Sequence, residues 1–373
     1  MKPIRTFLPF AVSAAALFVA SGIAWQGQKG PDAAQKQKMM EMRQRTMELL
    51  TPDERAHMQA NAKVDRQQWM KDHPSRESTG LIALPDLGKG MYQGEQGGLY
   101  PGGVNTPPPA HQKAGQALAR KIVPLDAEGR PAPGGKIVLL SVGMSNTTNK
   151  FQAFLKIVAE DGALHPNLVV VDGAQGGQVA WITAKPKAAY WQVSDERLRA
   201  AGVTREQVQA AWVLQANPGP NRPFPAESKE LQQNLVDTLH VMHERFPNLK
   251  IAYISSRTYG GYATSPLNPE PFAYESGFSV KWLIADQIAG KPELNYDPAK
   301  GAVRAPWIAW GPYVWADGVK ANRDGLSYAV DDYVESDRTH PTTSGRMKVA
   351  TRLLACLKAD SAARPWFTKA SSK

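Results

Sequence analysis

The chain contains almost no cysteine and no recognisable metal-binding motif. Cys356 is the only cysteine among 373 residues, which excludes an internal disulfide, and its apolar setting in "RLLACL" predicts a core position. The sequence also lacks an H-E-x-x-H signature. His240 and His243 stand three apart in a charged helical stretch, a context that favours a solvated helix face over a metal site. We therefore expect neither a metal nor another cofactor.

Basic runs are also missing, although the net charge is +10 and the pI is near 9.5. Lysine and arginine are scattered along the chain and interrupted by acidic residues. No nucleic-acid partner is expected, since such partners are bound by clustered basic residues with interleaved aromatic ones. The positive charge remains compatible with an anionic polymer of a cell envelope.

Long apolar runs are absent apart from one, which lies at the N-terminus. The run "FLPFAVSAAALFVASGIA" follows Lys2 and Arg5 and ends on the small-x-small triplet Gly22-Ile23-Ala24, a pattern typical of a cleaved export signal. We expect a periplasmic or secreted protein. The run is also close to the ~20 residues that cross a bilayer, so an uncleaved leader that tethers the protein to a membrane stays open.

Changes in composition divide the chain into successive segments. A polar, Met-rich stretch without β-branched runs favours helices, and the Gly- and Pro-rich stretch behind it favours irregular structure packed on the main domain. The predicted boundaries are a leader or anchor over 1–24, a helical extension over 25–77, a lead-in over 78–134, a main domain over 135–365 and a tail over 366–373.

From Lys136 onward, short apolar runs alternate with helical patterns. The runs are "KIVLLSV", "LVVVDG", "AAWVLQAN", "KIAYIS" and "PWIAWG". Near-continuous apolar strands are typical of a parallel sheet that is covered on both faces. The sequence therefore predicts an α/β fold with a doubly wound, mainly parallel five-stranded sheet and helices on both faces, a three-layer sandwich of the flavodoxin-like kind.

Polar residues follow the ends of the predicted strands. Ser145 follows the first strand, and Asn217 follows the third. Asp172, Gly173, Gly176 and Gly177 follow the second strand, and Ser256, Arg257 and Tyr259 follow the fourth. Asp337 and His340 stand three apart before the last helix. In an open parallel sheet, ligands bind beyond the carboxyl ends of the strands. The set provides a hydroxyl nucleophile, an imidazole base, a carboxylate to orient that base and donors for an oxyanion.

A purely structural interpretation is also open. Ser145 stands before a helical stretch and would serve as its N-cap, Asn217 would be a turn residue before a proline, and Asp337 would cap the last helix. This interpretation does not explain why the residues share one edge of the sheet.

The order of these residues resembles the SGNH (GDSL-type) hydrolase superfamily over roughly residues 135–360. The four blocks are "VGMSNT", "DGAQGGQ", "LQANP" and "DRTHPT". The resemblance implies Ser145 as nucleophile, His340 as base and Asp337 as the residue that orients the base. It implies Gly176 and Asn217 as oxyanion donors together with the Ser145 amide, with Gly173 as the alternative to Gly176.

Three positions depart from the pattern of the superfamily. Met144 stands where an aspartate usually precedes the serine, the glycine block is irregular, and Pro218 replaces the aspartate after the asparagine. A serine enzyme with a G-x-S-x-G nucleophile elbow fits less well, because Thr147 stands where the second glycine belongs and only one clear strand precedes Ser145.

Two aromatic segments are candidates for substrate contacts. They are "APWIAWGPYVWADG" and the long loop "SSRTYGGYATSPLNPEPFAYESG", a length more typical of binding loops than of plain connections. Core packing of these side chains is the open alternative. The substrate-side candidates are Arg257, Tyr259, Tyr262, Trp310 and Tyr313.

The first functional hypothesis is an exported serine esterase that hydrolyses O-acyl esters, with carbohydrate O-acetyl groups favoured over lipids. Its partner would be a small-molecule or polysaccharide ester. An O-acyltransferase with the same triad is one alternative. A non-catalytic, glycan-binding or structural envelope protein with a degenerate fold of the same type is the other, favoured by Met144, the glycine block and Pro218. The oligomeric state is left open.

Overall fold

A computed structural model describes residues 33–369 of the chain. The expected leader over 1–24, the start of the extension and the last four residues of the tail lie outside the described residues. Within the described part, no helix combines the length and apolar character needed to cross a bilayer.

The N-terminal part of the described chain consists of short helices and a small hairpin. It contains α1 (Ala33–Leu49), α2 (Pro52–Ala62), α3 (Arg66–Asp72), α4 (Leu84–Leu87), the antiparallel pair β1 (Met91–Tyr92) and β2 (Glu95–Gln96), and α5 (Pro109–Ala119). Thr51 and Glu54 form a capping box at the start of α2, and Asp65 caps α3. Side-chain acceptors before polar helical stretches thus fix where these helices begin.

The main sheet has five parallel strands. They are β3 (Ile137–Gly143), β4 (Leu168–Asp172), β5 (Val208–Leu214), β6 (Ile251–Ser255) and β7 (Trp307–Trp310), in the order β4-β3-β5-β6-β7. Because sequential strands step outward from β3 in both directions, the sheet is doubly wound and its order reverses beside β3. The predicted fold class is confirmed.

Helices cover both faces of the sheet. One face carries α7 (Ala180–Thr183), α8 (Ala189–Ala200), α9 (Ala226–Arg245) and α10 (Phe272–Ile288), and the other carries α5, α6 (Ser145–Ala159), α11 (Thr343–Ala359) and α12 (Arg364–Phe367). Short 3-10 helices lie at Arg205–Gln207, Pro292–Leu294, Pro298–Lys300 and Val330–Asp332. Adjacent strand residues such as Leu139 and Leu140 belong to opposite core clusters, as the alternation of side chains along a strand requires.

Candidate active site

The nucleophile position lies at a tight turn between β3 and α6. Gly143 ends the strand, and a Cβ added there would lie 2.3 Å from the carbonyl oxygen of Leu214. The Thr147 hydroxyl donates to that same oxygen and accepts from the Met144 amide at 3.2 Å. Met144 occupies the N-cap position, and Ser145 is the first residue of the helix. Ser145 is therefore not the N-cap of α6, and its hydroxyl is available for another partner.

Ser145, His340 and Asp337 form a continuous chain of hydrogen bonds. The Nε2 atom of His340 lies 2.7 Å from Ser145 Oγ, and its Nδ1 atom lies 2.6 Å from Asp337 Oδ2. Because a carboxylate only accepts hydrogen bonds, Nδ1 carries the proton and Nε2 of the neutral ring accepts from the Ser145 hydroxyl. The geometry is that of a nucleophile, a general base and a group that orients the base.

The turn that carries Asp337 and His340 is held by its own carboxylate. Asp337 Oδ1 accepts from the backbone amides of Thr339 at 2.8 Å and His340 at 2.9 Å, and Arg338 adopts a φ of 50°. Helix α11 starts later, with Thr342 at its N-cap position, so Asp337 does not cap the last helix. Its carboxylate fixes the imidazole and the turn together.

The ionisation of Asp337 follows from these contacts. Burial raises the pKa of this carboxyl group. The hydrogen bond from the His340 side chain, the charge of His340 and the hydrogen bonds from the backbone amides of His340 and Thr339 lower it. Their combined effect is larger, so the pKa lies below its ordinary value. Asp337 is therefore ionised throughout the neutral range and can stabilise an imidazolium at His340.

Asn217 presents an unpaired donor. Its side chain is buried, and its Oδ1 atom accepts from the backbone amide of Trp181 at 3.2 Å. That contact fixes which end of the amide group is the donor. Within residues 33–369, the buried Nδ2 atom has no hydrogen-bond partner. A fixed, unpaired N–H group is what an oxyanion site requires.

The two glycines considered as oxyanion donors differ in their surroundings. Gly173 follows β4 directly, and a Cβ at this position would lie 2.6 Å from the carbonyl oxygen of Ser141. The close approach of the Ser141 carbonyl oxygen is therefore a sufficient reason for a glycine at position 173. Gly176 lies further along the loop, beside Gln175. The backbone amide of Gln175 donates to the carbonyl oxygen of Gly143 at 3.0 Å. Its role as a donor stays a prediction.

The five residues predicted to contact substrate lie in the protein core. Each is at most 6% exposed. The hydroxyl of Tyr259 donates to Arg76 O at 2.8 Å and that of Tyr262 to Tyr328 O at 3.0 Å. The Trp310 indole donates to Leu99 O at 2.7 Å, the Tyr313 hydroxyl accepts from Leu84 N at 3.1 Å, and Arg257 donates to Asn217 O. The expectation of substrate contacts is corrected for all five, Arg257, Tyr259, Tyr262, Trp310 and Tyr313, because protein groups already occupy their polar ends.

Helix α2 lies beside the Asn217 loop, which the sequence did not indicate. The ring of His57 meets that of Trp181 edge to face at 5.3 Å, and a Cβ at Gly219 would lie 3.4 Å from Asn61 Nδ2. Further along, the Arg66 guanidinium donates to Thr264 Oγ1 at 2.5 Å. The spacing of His57 and Asn61, one helical turn apart, places both on one face of α2 but does not indicate what that face contacts. Residues of the extension therefore contribute to the surroundings of the site.

The described residues contain no group of three or more His, Cys, Asp or Glu side chains placed to hold a metal ion. Cys356 is half-buried, and burial raises the pKa of its thiol to about 12. This thiol is therefore protonated at neutral pH and is a poor nucleophile.

No protein-family model matches the chain, and no curated protein matches it. Among solved structures, the chain is similar to a carbohydrate esterase family 3 protein from Talaromyces cellulolyticus, at 11% identity and a TM-score of 0.33, over 58% of this chain and 94% of that one. It is also similar to the periplasmic domain of a Salmonella ser. Paratyphi A lipopolysaccharide acetyltransferase, at 13% identity and a TM-score of 0.32, over 66% and 95%. Values of this size assign no activity to the present chain.

Proposed function

We propose that the protein is a serine esterase of the SGNH type that hydrolyses O-acyl esters. The observation that carries the proposal is the chain of hydrogen bonds from Ser145 through His340 to Asp337, at 2.7 and 2.6 Å. The export pattern of the N-terminal sequence supports a periplasmic or secreted enzyme. Esters of carbohydrates, small or polymeric, are the substrates expected outside the cytoplasm, and acetyl is the favoured acyl group.

The first half of the reaction forms an acyl-enzyme. Ser145 Oγ attacks the ester carbonyl carbon while His340 Nε2 takes the hydroxyl proton. The carbonyl oxygen becomes negatively charged and would receive hydrogen bonds from the Ser145 amide, Asn217 Nδ2 and the Gly176 amide. The Ser145 amide lies at the start of α6, where amides lack intrahelical acceptors and the helix dipole favours negative charge. When the carbon–oxygen bond breaks, the alcohol leaves with the proton from His340.

The second half returns the enzyme to its starting state. A water molecule gives a proton to His340 and attacks the acyl carbon, and the acid is released as Ser145 recovers its proton. An alcohol in place of this water would make the reaction an acyl transfer, so the same residues serve both reactions.

The departures from the superfamily pattern leave this geometry intact. Met144 is buried in the core cluster on the α6 face of the sheet, and its backbone fixes the start of α6. Pro218 is also buried, and Asn217 before it keeps a donor that is unpaired among residues 33–369. These contacts favour a catalytic protein over a degenerate one.

Hydrolysis of p-nitrophenyl acetate by the wild type and by Ser145→Ala tests the proposal. Ser336→Ala is the matched control, because Ser336 is exposed and directly precedes the turn that carries Asp337 and His340. We expect the Ser145 variant to lose at least about a thousandfold in kcat and the control to retain wild-type turnover. Equal rates for the wild type and Ser145→Ala would overturn the assignment.

A further inference from the structure

We propose that Arg257 is a positioning residue, which holds Asn217 in place for oxyanion binding and sets a buried positive charge behind it. The inference rests on the proposed function, because it gives Arg257 a task in that oxyanion site. It replaces the expectation that Arg257 contacts substrate.

The guanidinium of Arg257 joins the loops that follow β5 and β6. Its Nη2 atom donates to the backbone carbonyl oxygen of Asn217. Its Nη1 atom donates to the carbonyl oxygen of Leu267 at 2.9 Å and to Asn268 Oδ1. The planar guanidinium provides donors in several fixed directions, which the single ammonium of a lysine does not. One side chain thus fixes the Asn217 backbone against a second loop.

Asn217 is held from a second direction by α7. The Trp181 amide donates to Asn217 Oδ1 at 3.2 Å, and the Ala180 amide donates to the carbonyl oxygen of Ala216 at 3.0 Å. Helix α7 therefore orients the side-chain amide, while Arg257 fixes the peptide that carries it. Together they leave Asn217 Nδ2 as a donor without a partner in the described part of the chain, and removal of either constraint would let this donor rotate.

The charge of Arg257 is buried without a directly paired acid. The side chain is 4% exposed, and among residues 33–369 no carboxylate lies within ion-pair distance of it. Glu270 and Glu227 act on it only through space, and burial lowers the pKa of the guanidinium to about 9. Burying a cation in this way is costly. The cost is offset when negative charge develops on a nearby oxyanion, since Coulomb attraction is strong where water is excluded.

A positioning role predicts that removal of Arg257 weakens stabilisation of the transition state but leaves binding of the ester nearly unchanged. The ester in its ground state has little charge on its carbonyl oxygen, so its binding depends weakly on the oxyanion donors. For Arg257→Met, we expect kcat for p-nitrophenyl acetate to fall about a hundredfold, the size of one lost oxyanion donor, with KM changed by less than about twofold. The affinity for a boronic acid that forms a tetrahedral anionic adduct with Ser145 should fall by a similar factor.

Arg222→Met is the matched control. Arg222 lies on the same loop as Asn217 but is half-exposed and pairs with Glu227 and Glu230, so its removal should leave kcat within about twofold of the wild type. Guanidinium chloride added to Arg257→Ala should restore part of the lost kcat, because free guanidinium can occupy the site of the missing group.

Three results would overturn the inference. The first is a kcat of Arg257→Met close to that of the wild type. The second is a KM that rises by the same factor as kcat falls, while the affinity for the boronic acid falls no more than the affinity for the ester. The third is failure of guanidinium to restore kcat in a folded Arg257→Ala. Hydrogen exchange over residues 215–222 separates this proposal from the proposed function. If the wild type has no Ser145-dependent activity, faster exchange in Arg257→Met than in Arg222→Met still supports the positioning role, and equal exchange rejects it.

Discussion

At the scale of single residues, two neighbouring aspartates have different tasks. Asp337 binds the imidazole of His340 and two backbone amides of its own turn. Asp332 is buried and accepts from the Lys348 ammonium and from Ser344 Oγ, the latter at 2.7 Å. Asp332 therefore joins its loop to α11, and only Asp337 reaches the proposed base.

Replacement of Asp337 by asparagine tests this assignment. We expect Asp337→Asn to lower kcat by about a hundred- to ten-thousandfold, because an amide no longer stabilises the imidazolium at His340. Asp332→Asn should mainly lower the melting temperature, since it removes the buried, charged acceptor of the Lys348 ammonium. The exposed Asp331→Asn should change neither quantity. A larger loss of kcat in either control than in Asp337→Asn would contradict the assignment.

Lys150 is buried in α6, and within the described part of the chain its ammonium group has one weak polar contact. Its Nζ atom lies 3.4 Å from Thr258 Oγ1, and burial, with the positive charge of Arg257, lowers its pKa to about 7 from 10.5. Between these values the unfolded chain binds a proton that the folded chain does not. The free energy of unfolding therefore rises with pH across this window.

The pH dependence of stability tests the burial of Lys150. Lys150→Met should be more stable than the wild type at and below about pH 7, and this advantage should shrink as the pH rises to about 10, at about 1.4 kcal/mol per pH unit at most. Lys156→Met is the control, because Lys156 is exposed on the same helix and should show no such trend. Denaturant unfolding across this range provides the comparison, and a constant difference between Lys150→Met and the wild type would contradict the prediction.

The sequence predicts that Ser145, Asp337 and His340 lie together, and the structure joins them by hydrogen bonds, but the sequence does not predict the surroundings of these residues. Ser145, Asp337 and His340 could be found because each follows a strand or precedes a helix in a defined order. The prediction that the aromatic loop residues contact substrate is wrong, because Tyr259 and Tyr262 look the same in sequence whether they face a ligand or the core. Their burial is determined by contacts with distant residues such as Arg76 and Tyr328, which local patterns do not encode.

At the scale of elements, the strands were predictable and the position of α2 was not. The five apolar runs mark buried parallel strands, since both of their faces are covered by helices. Helix α2 is polar and contains no buried residue, so its sequence carries no signal of where it lies. Its position depends on single contacts, such as the Glu54–Lys185 ion pair at 3.2 Å.

Asp317 ties the start of the lead-in to the main domain. The carboxylate accepts from Ser78 Oγ at 2.5 Å, from Thr79 N and Oγ1 at 2.6 and 2.7 Å, and from Gly80 N at 3.0 Å. Burial raises the pKa of Asp317, but these hydrogen bonds outweigh it and the net pKa lies below the ordinary value. The contact therefore stabilises the protein at neutral pH and is lost as the pH falls through this lowered pKa.

Asp317→Ala is expected to release the segment around residues 76–83. The loss of a charged, buried acceptor should lower the free energy of unfolding by about 2–3 kcal/mol and speed hydrogen exchange of residues 78–80. Asp324→Ala serves as the control, because Asp324 is exposed. Unchanged exchange at residues 78–80 in Asp317→Ala would show that other contacts hold the segment.

At the scale of the whole molecule, we propose that the lead-in over 78–134 is part of the core rather than a separate appendage. The Trp307 indole donates to His111 O at 3.1 Å, and Gly115 packs so closely on that ring that a Cβ would lie 2.4 Å from it. Leu84 and Leu99 likewise engage Tyr313 and Trp310 on the other face of the sheet. The lead-in therefore covers aromatic side chains on both faces.

Shortened chains test this view of the lead-in. A chain of residues 136–373 should be poorly soluble or unfold without cooperativity, because aromatic rings near β7 would be exposed. A chain of residues 76–373 keeps those contacts and should unfold in one cooperative transition. Soluble yield and thermal unfolding give the comparison, and a stable 136–373 chain would contradict the proposal.

The central claim is that Ser145 is an activated nucleophile. Reaction with a fluorophosphonate, followed by peptide mapping, measures this directly, because such reagents react with serines that a neighbouring base activates. We expect one adduct, on Ser145, which disappears in Ser145→Ala and is strongly reduced in His340→Ala. An unlabelled Ser145 in the folded wild-type protein would contradict the claim.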